Sequence, residues 1–248
     1  MTPLAVLVAL SVAADRSLLE DDARTVVTAV VRAAAENRRA GKPIEGDELT
    51  ALYVRAAAAA ARKLPEKRSG PAFALAIGIA LDTATLMRVN PVVGATWKRV
   101  ESDPERKARL KVLGLPTVHG RHDLAQHFAV SAALTAVLGE KKAESAGIVK
   151  ELLDAGEGGS GFSFADLAAD LAGIALARRV LARPGALAEV EKGFRVADFA
   201  LPPKRLAEGL TLAEFEKRYG GTRDPRFRKA LDELVRRVAA LPGHKEKP

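Results

Sequence analysis

The chain has 248 residues, of which 48% are hydrophobic and only 4% aromatic, and its net charge is +8. It contains no cysteine, which excludes a disulfide framework, a thiolate metal site and a lipoprotein anchor. Much of the positive charge follows Arg178, where acidic residues alternate with the basic ones and no aromatic platform accompanies them. We therefore expect no nucleic-acid binding. Peripheral contact with an anionic membrane through this basic C-terminal region is the alternative to a merely solvated surface.

The first 14 residues are apolar and end in small side chains, with Val12 and Ala14 at the positions that a signal peptidase prefers. This stretch is too short to span a bilayer as a helix, and it lacks a positive segment before the apolar run. We interpret residues 1–14 as a signal peptide, which predicts a periplasmic or otherwise extracytoplasmic protein. The alternative interpretation is a buried or frayed N-terminal helix.

The first half of the chain predicts three long helices. Ser17 and Glu20 have the spacing of a capping box, so the first helix is expected over residues 18–39. Asp47 is predicted to cap a second helix that crosses an alanine run and stops before Pro65. A third helix, residues 71–89, is apolar nearly all round, which predicts a central position. Asp82 within this helix needs a partner, which is either a nearby N–H or hydroxyl group, such as that of Thr83 or Thr85, or a group of the polar residues in the second half of the chain.

The second half predicts shorter helices with clear boundaries. A short amphipathic piece contains Trp97, and another helix starts at Asp103 and ends before Gly114. Helices are then expected over residues 122–138 and 140–154, each ended by glycine, and from Ser163 to about residue 182. Thr211 and Asp224 open the last two. The sequence thus predicts an all-α, irregular bundle of about nine helices, as a single domain over residues 15–241 with a disordered tail over residues 242–248.

Three of these helices carry polar pairs at the spacing of one helical face. Asp123 and His127 are four residues apart, Glu151 and Asp154 three apart, and Asp166 and Asp170 four apart. Because carboxylates beside apolar residues need a metal, a base or a proton, these pairs predict a site. The candidate catalytic residues are Asp123, His127, Glu151, Asp154 and Asp170. The candidate ligands of a divalent ion such as Mg²⁺, Mn²⁺ or Zn²⁺ are His127, Glu151, Asp154 and Asp170.

Each pair also has a plainer interpretation. Lys150 is placed to form a salt bridge with Asp154, and Asp166 is placed to satisfy the first turn of its own helix. His119 and His122 lie near a loop, where they are either additional ligands or solvated side chains. No serine has the surroundings of a nucleophile, so a Ser-His-Asp hydrolase is not expected.

The order and spacing of three segments resemble a known family pattern. Asp123-x-x-x-His127-Phe128 is followed by Lys150-Glu151-x-x-Asp154 and then by Asp166-Leu167-x-x-Asp170-x-x-Gly173. This pattern is similar to that of the YfiM-like predicted periplasmic proteins and, more distantly, of the VanZ-like membrane proteins. It covers about a fifth of the chain and has Leu124 where those families usually have lysine. The resemblance implies a shared helical core; it implies neither membrane insertion nor a reaction.

Two functions from different classes therefore remain open. The sequence slightly favours a non-catalytic envelope or scaffold protein whose polar cluster organises the helix packing. The alternative is a metal-dependent enzyme or a metal-binding protein that uses the same side chains. In both cases we expect His127 to donate a hydrogen bond to Asp123, and to join the three helices if Glu151 or Asp154 reaches its other ring nitrogen. The alternative is a buried histidine whose only carboxylate partner is Asp123. Neither a substrate nor a partner follows from the residues.

Overall fold

The computed structural model describes residues 3–183 and 185–245, and only the backbone of residues 3–14. Over these ranges the protein is all-α, as predicted, with thirteen α-helices, one 3₁₀ turn and no β-strand. The count exceeds nine in part because two of the helices have only four residues each. Within the described part of the chain, none of the helices combines the length and the apolar character needed to cross a bilayer.

The helices are numbered from the N-terminus to the C-terminus. They are α1 (Pro3–Arg39), α2 (Gly46–Ala61), α3 (Glu66–Leu81), α4 (Leu86–Val89), α5 (Gly94–Val100), α6 (Asp103–Val112), α7 (His122–Leu138), α8 (Glu140–Asp154), α9 (Phe164–Ala182), α10 (Ala186–Gly193), α11 (Val196–Phe199), α12 (Leu212–Tyr219) and α13 (Pro225–Ala239). A 3₁₀ turn, Pro242–His244, follows α13.

The start of α1 differs from the prediction. The helix runs through Ser17, so the capping-box spacing there does not mark an N-terminus. Glu20 is buried and accepts a hydrogen bond from Arg99 at 3.3 Å instead of turning back onto its own backbone. Of the predicted signal peptide, residues 3–14 begin α1, and residues 1 and 2 lie outside the described residues.

The third predicted helix is divided in two. It begins earlier than Pro71, at Glu66, and ends at Leu81, where the backbone of Asp82 becomes extended. The Asp82 carboxylate accepts from Ala84 N–H at 2.9 Å and from Trp97 Nε1–H at 3.2 Å, so its partners are N–H groups and not the hydroxyls of Thr83 or Thr85. A carboxylate that binds the backbone two residues ahead competes with helical hydrogen bonding, which explains the break before α4.

Asp47 does not cap α2, contrary to the prediction. The residue before the helix is Glu45, which makes no side-chain cap. Asp47 Oδ1 instead accepts from Gly120 N–H at 2.9 Å and from the Thr117 hydroxyl. The carboxylate thereby fixes the loop that leads into α7 against the start of α2.

Helices α3, α7 and α9 form the centre of the bundle. Most residues of α3 and α9 are buried, and α7 packs against both. Two glycines allow this close packing: a Cβ at Gly78 would lie 2.8 Å from the carbonyl oxygen of Ala129, and one at Gly173 would lie 1.9 Å from that of Phe128. Gly78 therefore lets α3 approach α7, and Gly173 lets α9 approach α7, which brings the polar pairs of α7 and α9 together.

The C-terminal turn packs on the bundle through His244. Its Nε2–H donates to the carbonyl of Phe199 at 2.8 Å, and its ring lies edge-on against the ring of Phe199. Burial, together with the nearby Arg179 and Arg178, lowers the pKa of His244 to about 4. The predicted disordered tail includes this turn, and its last residues, 246–248, lie outside the described part of the chain.

Acidification should therefore weaken the fold through His244. The pKa is about 4 in the folded state against 6.5 for a free histidine, so the unfolded state takes up the proton first. The free energy of unfolding should fall by about 2–3 kcal/mol from this residue as the pH drops from 6.5 to 4. Urea unfolding of the wild type and His244→Gln across this range measures the difference, because Gln keeps an N–H donor but does not titrate. Parallel pH profiles for the two proteins would contradict this assignment.

Candidate functional site

Three helices, α7, α8 and α9, place most of the predicted polar residues around one point. A glycine with φ of 86°, Gly139, separates α7 from α8, and α9 packs against both. Gly147 of α8 faces Asp170 of α9 so closely that a Cβ at this glycine would lie 2.6 Å from Asp170 Oδ2. Any larger residue would displace the Asp170 carboxylate or push α8 away from α9. The site therefore depends on backbone approach as well as on its charged side chains.

His127 is held from both sides by α9. Its Nδ1 lies 3.0 Å from Asp170 Oδ1, and its Nε2 lies 3.3 Å from Asp166 Oδ2. Ser131, one turn further along α7, donates to the same Asp170 oxygen at 2.6 Å. The predicted partner Asp123 is not used, because Arg121 forms a salt bridge with it at the start of α7. His127 thus links α7 to α9 instead of contacting Asp123 on its own helix.

Two buried carboxylates, one on α8 and one on α9, each have one oxygen held by a hydrogen bond from outside the cluster. Glu151, fully buried, accepts the backbone N–H of Ser163 through Oε2 at 2.9 Å. Asp166 accepts from Arg121 through Oδ1 at 3.3 Å. The cap of α9 is made by Ser163, whose hydroxyl accepts the Asp166 N–H at 3.0 Å, so the Asp166 carboxylate remains available. The second oxygen of each carboxylate points inward.

The ammonium group of Lys150 lies among these inward atoms. Its Nζ is 3.0 Å from His127 Nε2, 2.9 Å from Glu151 Oε1, 2.8 Å from Asp154 Oδ2 and 3.5 Å from Asp166 Oδ2. We call this group of six residues the His127 cluster: His127, Lys150, Glu151, Asp154, Asp166 and Asp170. One cation thus lies where four inward-facing atoms from three helices meet.

Negative charge dominates the His127 cluster, since four carboxylates face one lysine and one histidine. Burial opposes a proton on His127, but Asp170 and Asp166 outweigh it and raise the pKa of His127 to about 10. Burial raises the pKa of Glu151, whereas His127 and Lys150 overcome the effect of burial on Asp166 and lower its pKa to about 2. A protonated imidazole ring donates to Asp166, and a neutral one accepts from Lys150. In the first arrangement His127 and Lys150 both carry positive charge toward the carboxylates, and in the second Lys150 alone does.

Three side chains of the cluster have the arrangement of metal ligands. His127, Glu151 and Asp166 each offer one atom, and these atoms lie within 4.8 Å of one another. Tetrahedral ligand atoms about 2.1 Å from an ion lie about 3.4 Å apart, so a metal would draw the more distant of these atoms together. Asp154 lies next to them across Lys150. Asp170 holds the opposite nitrogen of His127, which is the usual position of a carboxylate behind a metal-binding histidine.

The structure does not bring every predicted site residue to this point. Asp123 is half exposed and belongs to a surface pair with Arg121, which lowers the pKa of the Asp123 carboxyl through a hydrogen bond. His119 contacts the carbonyl of Ala200 at 2.9 Å, and His122 contacts that of Pro116 at 2.8 Å. These two histidines fix the loop before α7. A groove of about 880 Å³ beside this loop is lined by other residues, among them Ile44, Leu49 and Leu115.

Two members of the cluster are not among the predicted site residues. The sequence explains Asp166 through its capping-box position, and Lys150 through a salt bridge with Asp154. Each of these interpretations considers one helix at a time. Two features of the sequence could have pointed to these residues: Lys150 is adjacent to Glu151 on α8, and Asp166 precedes Asp170 by one turn on α9. Only the packing of α8 on α9 shows that these pairs meet.

Removing His127 should destabilise the metal-free protein. We expect His127→Ala to lower the free energy of unfolding by about 2–4 kcal/mol, because it leaves buried carboxylates without a donor. In urea unfolding with a chelator present, the losses of His127→Ala and Asp170→Asn should be non-additive by about 1–3 kcal/mol. The matched control is Asp123→Asn, whose loss should add to that of His127→Ala. Additivity in both cycles would mean that His127 has no energetic link to α9.

No known family model, curated protein or solved structure is significantly similar to this chain. The resemblance to the YfiM-like and VanZ-like families, and export through residues 1–14, therefore stay predictions. The interpretation of function depends on the geometry of the His127 cluster.

Proposed function

We propose that this protein binds a divalent transition-metal ion at the His127 cluster. The ligands would be His127 Nε2, Glu151 Oε1 and Asp166 Oδ2, with Asp154 as a fourth. One observation carries the proposal: the opposite atom of each of the three main ligands is already held by another group. Such outer hydrogen bonds orient ligands toward an ion and are typical of metal sites.

The ligand types narrow the choice of ion. One imidazole with several carboxylates suits Zn²⁺, Mn²⁺ or Fe²⁺ better than Mg²⁺ or Ca²⁺, which prefer all-oxygen surroundings. Access is available because about a third of the Lys150 and Asp154 side chains is exposed. Asp170 would not be a ligand under this proposal but would hold His127 in place.

A second candidate is a fixed polar cluster that organises the packing of α7, α8 and α9. The observation that favours it is the Lys150 ammonium group, which already supplies a cation to the same oxygens. In that case the cluster needs no metal, and its charged groups serve only to select one arrangement of the helices. This role fits a non-catalytic scaffold protein.

Metal analysis of protein purified without chelator distinguishes the two candidates. Binding predicts about one Zn²⁺, Mn²⁺ or Fe ion per chain, retained after desalting. Asp123→Asn is the matched control and should retain the ion, since its carboxylate lies outside the cluster. Metal-free protein that also fails to retain Zn²⁺ or Mn²⁺ after incubation would overturn the metal proposal and leave the scaffold role.

A further inference from the structure

The ammonium group of Lys150 occupies the space that a metal ion would need in the His127 cluster. Its ammonium nitrogen is within 3.0 Å of His127 Nε2, Glu151 Oε1 and Asp154 Oδ2, and 3.5 Å from Asp166 Oδ2. These are the atoms that we assign as metal ligands. A divalent ion would need them at about 2.1 Å, in the space that the ammonium group occupies.

We infer that Lys150 is an exchangeable internal cation which a metal ion must expel from the site. This inference rests on the proposed function. An ammonium group only donates hydrogen bonds, so it cannot share the lone pairs of these ligands with a metal. Two cations in contact would also repel each other strongly in a partly buried cluster. The lysine and the metal are therefore alternative occupants of one site.

The structure gives Lys150 a route out. One third of its side chain is exposed, and the flexible four-carbon stem allows the ammonium group to turn toward water. Its neighbour Val149 is 54% exposed, and Leu153 on the same helix is 73% exposed, so this side of α8 faces solvent. Asp154 is comparably exposed, whereas the other four members of the cluster are largely buried and have no comparable freedom.

Such an exchange would make Lys150 a determinant of affinity and selectivity. The apparent affinity for a metal falls by the fraction of protein whose ligands are free of the lysine. If Lys150 occupies the site nine-tenths of the time or more, the penalty is about tenfold or greater. Mg²⁺ loses its bound water reluctantly and would not displace the lysine, whereas Zn²⁺ and Mn²⁺ would.

Replacing Lys150 by an apolar residue tests the exchange. Titration calorimetry of metal-free protein should show that Lys150→Leu binds Zn²⁺ and Mn²⁺ about tenfold more tightly than the wild type, or better. Lys142→Leu, an exposed position on the same helix, is the control and should change neither affinity. Equal or weaker binding by Lys150→Leu would overturn the inference, because it would make Lys150 irrelevant or itself a ligand.

A second measurement uses the wild type and does not depend on folding of the variant. An acetylating reagent that reacts with amines, used in limiting amount, should modify Lys150 about tenfold faster with saturating Zn²⁺ than without metal. Peptide mass spectrometry measures the extent of modification. Lys142 should react at the same rate in both samples. Lys150 that stays protected while metal is bound would overturn the exchange alone. Failure of the wild type and of Lys150→Leu to bind either ion would overturn the proposed function as well.

Discussion

Glu151→Gln should reduce the affinity for Zn²⁺ or Mn²⁺ by about 100-fold or more while leaving the fold intact. Glu151 is fully buried, and its Oε1 is one of the inward-pointing ligand atoms. Glutamine has the same shape but carries one neutral oxygen in place of two charged ones. When that oxygen accepts the Ser163 N–H, the amide NH₂, which cannot bind a metal, takes the ligand position. Even outer partners of metal ligands are worth about 10–100-fold in affinity, so the loss of a charged ligand should exceed that range.

The control for this prediction is again Asp123→Asn. Asp123 is also a carboxylate at the end of the site region, but its partner is Arg121 and it faces solvent. Titration calorimetry on chelator-treated protein should give Asp123→Asn an affinity within about twofold of the wild type. A Glu151→Gln protein that binds metal as tightly as the wild type would exclude Glu151 as a ligand.

Arg109→Met should lower the free energy of unfolding by about 3–5 kcal/mol, the largest stability loss that we expect from a single substitution in this protein. Arg109 is 1% exposed and donates to both oxygens of Glu101, at 2.6 and 3.0 Å. It also donates to the carbonyls of Ala80 and Asp82 at 2.7 and 3.0 Å. Its removal leaves a buried carboxylate and the end of α3 without donors.

Arg236→Met is the matched surface control. Arg236 pairs with Glu233 on α13, and both side chains are more than half exposed. An exposed pair of this kind contributes about 0–1 kcal/mol. Urea denaturation of both variants measures the contrast. A loss below about 1 kcal/mol for Arg109→Met would mean that the Glu101 carboxylate finds another partner when the arginine is gone.

Helix boundaries are predictable where local chemistry decides them. The bounds of α7 and α8 agree with the prediction because Gly139 ends one helix and starts the other. Ser163 and Thr211 cap α9 and α12 as expected, through side-chain bonds to the backbone three residues on. These signals involve neighbours in sequence, so tertiary packing does not alter them.

The predicted boundaries are wrong where the side chain expected to cap a helix instead contacts a residue that is distant in sequence. Glu20 contacts Arg99, so α1 continues past Ser17, and Asp47 contacts the loop at Gly120 instead of capping α2. The same competition decides the site. Arg121, two residues before Asp123, pairs with the carboxylate expected to orient His127, and Asp170 of α9 takes its place.

The site itself is predictable as a set of faces but not as a set of contacts. Helical spacing identifies which side chains share a face, and four of the five predicted residues lie in the His127 cluster. Spacing does not say which face of α8 meets α9, since that depends on the room left by Gly147. The central position of Lys150 follows from this packing and cannot be inferred from α8 alone.

The central claim is that His127 and carboxylates of α8 and α9 bind one metal ion, and zinc K-edge X-ray absorption tests it most directly. The spectrum of the zinc-loaded wild type should show a single imidazole nitrogen with oxygen donors, all at about 2.0–2.2 Å. His127→Ala should lose the imidazole contribution, which distinguishes this site from adventitious zinc at His119, His122 or His244. A spectrum without imidazole, or one unchanged in His127→Ala, would contradict the claim.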